Sequence, residues 1–173
     1  MMKQISESEF EKLVYENQSL IVNVCNVYCK TQADKDDLFQ DITINLWRGL
    51  PSYKGNAKIS TWIYRVSLNT AISNARKNRR NKISYPENIP RNAFTLQVEE
   101  HRDQSLIQAL YAGIDRLKPV EKAIILLYLE RHSYEQIADI IGISKKNVSV
   151  KLVRIKKRLK VLIDPASQQI YTQ

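Results

Sequence analysis

Apolar residues recur at intervals of three and four along almost all of this chain, and only four glycines and five prolines interrupt them in 173 residues. That period stacks side chains on a common helical face, whereas a half-buried strand needs strict alternation, which no segment keeps up. The pattern therefore predicts an all-α protein. It also divides the chain. Periodicity fades from Asn81 to about Glu100, where Pro86, Asn88, Pro90 and Asn92 favour turns, and it resumes at Leu106. The reading is two small helical domains, 6–80 and 106–163, joined by a flexible linker over 81–105 and followed by a tail over 164–173. With 43% of residues apolar, both domains can bury a core.

Within this frame Ser6 and Glu9 have the form of a capping box, and Phe10, Leu13, Val14, Leu20, Ile21, Val24 and Tyr28 then supply the buried face of one long helix. A second helix runs from about Asp34 to Arg48. Asp34, Asp36 and Asp37 fall in its first turn, where negative charge suits the helix dipole, and Leu38, Ile42 and Leu46 form its apolar stripe. Gly49 and Pro51 end it. A third helix opens at Ile59 or Ser60 and continues to about Arg80. In the second half, Leu106, Leu110, Ile114 and Leu117 stripe a helix that Pro119 closes, Val120 to Arg131 makes the next, and Asp164 with Pro165 stops the last. Cys25 and Cys29 lie one turn apart in an apolar stretch with neither His101 nor His132 near them, so they read as small buried side chains rather than a metal or redox pair. No run of about 18 apolar residues occurs, and Met1 to Glu11 is too polar for a signal peptide. The expectation is a cytoplasmic chain without membrane insertion.

The net charge is +9, and its placement is more informative than its size. Lys54 to Lys82 holds eight basic residues and no acid, as does Lys145 to Lys160, which leaves 11 basic against 18 acidic residues elsewhere. An ordinary solvated face mixes both signs. Two pure strips on an acidic body point to phosphate contact.

The second strip lies in a segment with helix-turn-helix spacing, Tyr134 to Val153. Ala138 is small where two helices cross, Gly142 can take the positive φ that redirects the chain, Ser144 can cap the following helix, and Val148 belongs to the core. If Val148, Leu152, Ile155 and Leu159 face inward, then Lys145, Lys146, Asn147, Ser149, Lys151, Arg154 and Lys156 lie on or near the outer side. Lys146, Asn147 and Val150 or Lys151 are then candidates for base edges, with Arg154, Lys157 and Arg158 on phosphates. In the first domain Trp62, Tyr64, Arg65, Asn69, Arg76, Arg79 and Arg80 mix aromatic, amide and basic groups on one helix. Such groups suit unpaired bases, although Trp62 or Tyr64 taken singly fits a core better than a base platform.

The ordered motifs Asp36-Asp37-Leu38-Phe39-Gln40-Asp41, then Ser60-Thr61-Trp62-Ile63-Tyr64-Arg65, then this helix-turn-helix, resemble a bacterial RNA polymerase sigma factor of the sigma-70 family. The chain's brevity resembles the extracytoplasmic-function (ECF) group. The resemblance implies a protein that binds core RNA polymerase, directs it to promoter DNA and helps melt the minus-ten element, with no catalytic residue, cofactor or metal of its own. By the same resemblance, Asp37, Gln40, Asp41, Asn45 and Trp47 dock on the clamp coiled coil of the polymerase's largest subunit. The loop residues Lys54, Asn56 and Lys58, with Ser60, Thr61, Trp62, Arg65 and Asn69, meet the melted minus-ten strand. Arg76, Lys77, Arg79 and Arg80 hold backbone phosphate. Ser144, Lys145, Lys146, Asn147, Ser149, Val150, Lys151, Arg154, Lys157 and Arg158 then serve the minus-thirty-five duplex. An anti-sigma factor is a further partner common in such a family. Where the family usually has Gly-Thr-Val-Lys-Ser-Arg, this chain has Lys146-Asn147-Val148-Ser149-Val150-Lys151, so the helix position is kept and the reading surface is its own.

Two other readings use the same residues. A stand-alone regulator could use the helix-turn-helix while its N-terminal helices sense a ligand or dimerise, but neither the first basic strip nor the docking motif serves that purpose. An enzyme acting on nucleic acid lacks a Walker loop, a zinc-ligand cluster and a nucleophile elbow, and the acids from Asp34 to Asp41 are better explained as helix-start and partner-facing charge.

Overall fold

The computed structural model describes residues 6–80 and 101–163. Among these residues every regular element is helical, and they fall into two compact units, one within Met1–Arg91 and one within Asn92–Gln173. The first holds α1 (Glu7–Glu16), α2 (Gln18–Tyr28), α3 (Gln32–Gly49), a 3-10 turn (Leu50–Ser52) and α4 (Ile59–Arg80). The second holds α5 (His101–Asp115), α6 (Pro119–Leu129), α7 (Tyr134–Ile141) and α8 (Lys145–Ile163).

In the first unit α2, α3 and α4 pack on one another and α1 leans on α2. Ile21, Val24, Ile42, Leu46, Ile63 and Leu68 are almost fully withdrawn from water at their centre. Burying an aliphatic side chain of this size contributes roughly 1.5–3 kcal/mol, so this cluster holds the three helices in register. The apolar period alone reads Phe10 to Tyr28 as one helix, but the structure breaks it at Asn17. The Asn17 side-chain amide donates to the Leu13 carbonyl at 2.8 Å, and its backbone N–H turns back to Val14 and Tyr15. A side chain that satisfies its own preceding turn lets the chain leave the helix there.

Two further boundaries differ from the sequence reading. Thr31 caps α3 by accepting from the Asp34 N–H at 3.1 Å, so the helix starts at Gln32 and Asp36 and Asp37 move beyond its first turn. Pro119 opens α6 at its first position instead of closing α5, which ends at Asp115, and Leu117 is buried in the turn between them. Proline fits there because the first helical N–H has no partner to lose. Helix α5 begins at His101, inside the stretch 81–105 read as linker. The rest of that linker and the stop at Asp164 and Pro165 lie outside the described residues.

In the second unit α8 is the hub, packing on α5, α6 and α7 through Val148, Leu152, Ile155 and Leu159. The α7–α8 corner has the chemistry its sequence announced. Ser133 and Gln136 form a capping box at the start of α7, and Ala138 and Ile137 are buried. Gly142 adopts φ +78°, and Ser144 Oγ accepts from the Asn147 N–H at 3.2 Å. A Cβ on Gly142 would meet nothing within 4 Å, so the cost of adding one lies in the backbone alone. Gly142→Ala is therefore expected to lower the stability of this unit by about 1–2 kcal/mol, read as a lower urea midpoint with an unchanged slope.

Candidate nucleic-acid interface

On α8 each residue turns the helix by about 100°. With Val148, Leu152, Ile155 and Leu159 inward, the opposite line passes through Lys146, Val150, Val153 and Lys157, all exposed. Asn147 and Arg154 are exposed beside that line, while Ser149 and Lys151 are half-buried at its margins. Three cations of the strip are held by neighbouring helices. Lys145 forms an ion pair with Glu135 of α7, and that hydrogen bond holds the Glu135 carboxyl below its ordinary value. Lys156 Nζ lies 3.9 Å from the centre of the Tyr128 ring and donates to its hydroxyl at 2.7 Å. Arg158 pairs with Glu121 at 3.1 Å, and the same carboxylate accepts the Lys118 N–H that opens α6. Arg158, read from sequence as a phosphate contact, thus has a partner within the unit.

On α4 the residues Ile63, Tyr64, Ser67, Leu68, Ala71 and Ile72 face inward. Tyr64 is core. The exposed side carries Arg65, Asn69, Ser73, Arg76 and Lys77 at helical spacing, with Ser60 at its start and Thr61 half-buried. Arg79 and Arg80 belong to the last turn of α4. Trp62 is half-buried for a reason the sequence does not display. Its ring packs on Tyr53 with centroids 5.4 Å apart, and a Cβ at Gly49 would approach Trp62 Cζ2 to 3.1 Å. The Tyr53 hydroxyl donates to the Ala57 carbonyl and Gly55 adopts φ +74°, which draws the loop carrying exposed Lys54, Asn56 and Lys58 back over α4.

On α3 the inward stripe of Leu38, Ile42 and Leu46 leaves Asp37, Gln40, Asp41, Ile44, Asn45 and Trp47 exposed. They divide into two groups. Asp37, Gln40, Ile44 and Trp47 lie along the outer line, and the Trp47 ring stands edge-on to Phe10 of α1 with centroids 4.9 Å apart. Asp41 and Asn45 sit on the flank toward α4, where Asp41 accepts from Asn74 at 2.8 Å and Asn45 donates to Thr70 at 3.0 Å. Beside Trp47, Phe10, Val14, Tyr15, Phe39 and Thr43 line an apolar groove between α1 and α3. Sequence reasoning missed Ile44, this groove and, on α8, Val153. Burial pushes the Cys25 thiol up to about 11, which keeps it protonated and unreactive at neutral pH. No cluster of His, Cys, Asp or Glu among the described residues could hold a metal ion. No described helix is long and apolar enough to cross a membrane.

The two units match two family descriptions in order: Sigma-70 region 2 over residues 13–81 and Sigma-70, region 4 over residues 107–159. The chain belongs to the sigma-70 family. Its relatives include the ECF RNA polymerase sigma factor SigM of Mycobacterium tuberculosis, 24% identical over 157 residues that cover 89% of this chain and 76% of SigM. RNA polymerase sigma factor YlaC of Bacillus subtilis is 29% identical over 72% of this chain and 74% of its own. The ECF RNA polymerase sigma-E factor of Escherichia coli is 24% identical over 92% and 88%. Among solved structures, the sigma factor RpoE from Bartonella quintana, in complex with the anti-sigma factor NepR, superimposes with a TM-score of 0.70 at 18% identity, covering 90% of this chain and 96% of that one. CnrH, solved with the cytosolic domain of CnrY, gives a TM-score of 0.64 at 19% identity, covering 92% and 90%. This sigma factor therefore acts in transcription initiation. Region 2 spans α2, α3 and α4, and region 4 holds the helix-turn-helix of α7 and α8.

Proposed function

We propose that this sigma factor docks on core RNA polymerase through the outer line of α3, captures the melted minus-ten strand along α4 and its preceding loop, and reads the minus-thirty-five duplex with α8. The observation that carries this reading is the division of faces. Each of the three helices buries an apolar stripe and leaves exposed the residue types its partner requires: acid and aromatic on α3, base and amide on α4, base on α8. Asp37, Gln40 and Trp47 make the centre of the docking face, with Asp41 and Asn45 at its edge. On α4, Arg65 and Asn69 reach an extruded base while Arg76, Lys77, Arg79 and Arg80 meet phosphates. Capturing such a base offsets part of an unstacking cost of a few kcal/mol. On α8 and its cap, Ser144, Lys145, Lys146, Asn147, Ser149, Val150 and Lys151 face base edges or the groove wall, Arg154 and Lys157 hold backbone, and Arg158 joins them by exchanging Glu121 for a phosphate. The boundaries that go with these roles are 6–80, a linker that gives way to α5 at His101, and a reading domain ending near Ile163.

The protein contributes binding energy and no covalent step, and it works in the cytoplasm, where polymerase and promoter are. An anti-sigma factor holds it between activations by covering both basic faces. Support comes from the anti-sigma factor bound to RpoE in the superimposed structure and from the uniform positive charge of both strips.

The test is made with the holoenzyme on a promoter selected from genomic DNA. Permanganate should detect unpaired thymines around the minus-ten element only when both core polymerase and this chain are present, and Asn69→Ala should reduce that signal. Melting that is complete with core polymerase alone contradicts the assignment of α4. Salt provides a second check. The slope of log K against log salt steepens by about 0.9 for each phosphate neutralised, so Lys157→Ala is expected to flatten it by about one unit and to weaken different promoters alike.

A further inference from the structure

The basic face of α8 has two apolar residues on its axis. Val150 is 42% exposed and Val153 is 53% exposed, and both lie on the line between Lys146 and Lys157, opposite the buried stripe of α8. Three cations of this helix are held at its flanks rather than on that line. Lys145 is drawn to Glu135, Lys156 to Tyr128 and Arg158 to Glu121, each toward a neighbouring helix and away from the central line. A helix lying in the major groove meets phosphates at its margins and base edges along its centre. The centre of α8 therefore presents methyl groups to base edges. Most major-groove edge atoms are hydrogen-bond donors or acceptors, which lose a water partner without replacement against valine; the apolar exception is the C5-methyl of thymine.

We infer that Val150 and Val153 read thymine methyl groups in the minus-thirty-five duplex, one valine to one methyl. Three residues of helix advance about 4.5 Å along the axis, and a base step advances about 3.4 Å along each strand. The two methyls thus belong to neighbouring or next-but-one base pairs. This inference rests on the assignment of α8 as the reading helix.

The experiment replaces thymines of that duplex one at a time with deoxyuridine, which removes the methyl group and leaves every hydrogen-bonding edge intact. Binding of the holoenzyme is then measured with footprinting across the element. Two positions no more than two base pairs apart should each weaken binding by about fourfold, the equivalent of one methyl's worth of buried apolar surface. Val150→Ala should abolish the effect at one of them and Val153→Ala at the other. Lys157→Ala should weaken thymine and deoxyuridine templates equally. A protected element at which no deoxyuridine substitution matters would overturn the methyl reading and leave α8 as the reading helix. So would a deoxyuridine effect that survives in both valine variants. Absence of protection anywhere upstream of the melted region would instead remove the assignment of α8 itself. Both valines are exposed, and Val150→Thr, which keeps the branched shape and adds a hydroxyl, checks that a loss of discrimination does not come from altered folding.

Discussion

Run-off transcription by the holoenzyme should fall at least tenfold when Asp37 and Asp41 are both changed to arginine, with the chain's melting temperature little altered. Both aspartates are exposed on α3, so neither substitution removes a buried contact. Asp41 alone has a described partner to lose, the amide of Asn74, and a surface hydrogen bond of this kind is worth about 1 kcal/mol or less. Against a basic docking surface, each reversal turns an attraction into a like-charge contact, which costs several kcal/mol at a close interface. The loss should grow at low ionic strength and shrink at high, because screening acts on repulsion as on attraction. Trp47→Ala should produce a comparable loss by another route. The Trp47 side chain is 44% exposed and braced edge-on by Phe10, the arrangement of a pre-positioned aromatic anchor, and truncating such an anchor costs roughly 2 kcal/mol or more. Equal transcription from either variant would remove α3 as the docking face.

The second large effect is on stability. Leu152 is 1% exposed at the centre of the surface where α8 meets its neighbours. Leu152→Ala should destabilise the C-terminal unit by about 2–5 kcal/mol through lost burial and the cavity left behind. That is a large fraction of what a unit this small possesses, so its unfolding transition should fall by roughly 10 °C or more. Duplex binding should fail with it, while the docking helix in the other unit keeps its own transition. A melt that is unchanged in Leu152→Ala would contradict the central place given to α8.

What the sequence made legible follows the range of the interaction concerned. The Gly142 turn, the Ser144 cap and the inward set from Val148 to Leu159 are local devices, fixed by residues within a turn or two of one another, and the structure has them where the spacing places them. The break at Asn17 is also local, yet it is hidden, because an asparagine inside an apolar period reads as a surface position until its amide is seen on the Leu13 carbonyl. The ties of Lys156 to Tyr128 and Arg158 to Glu121 cross 28 and 37 residues. No periodicity carries such information, and a basic strip read in one dimension counts those cations as free for phosphate. The groove beside Trp47 was out of reach for the same reason, since α1 supplies one wall and α3 the other. Val153 was passed over because a lone exposed valine means little. It acquires meaning once the helix is oriented and Val153 is seen on the outer line with Val150, opposite the buried stripe.

As a sigma factor, this chain confers promoter-specific initiation on a polymerase that lacks it. The most direct measurement is run-off transcription with purified core RNA polymerase from the same bacterium on genomic fragments, with and without the protein. Discrete transcripts should appear that depend on the protein and begin at fixed distances downstream of its footprints. No new transcript, together with tight duplex binding by the chain alone, would contradict it and leave a stand-alone regulator built on the same helix-turn-helix.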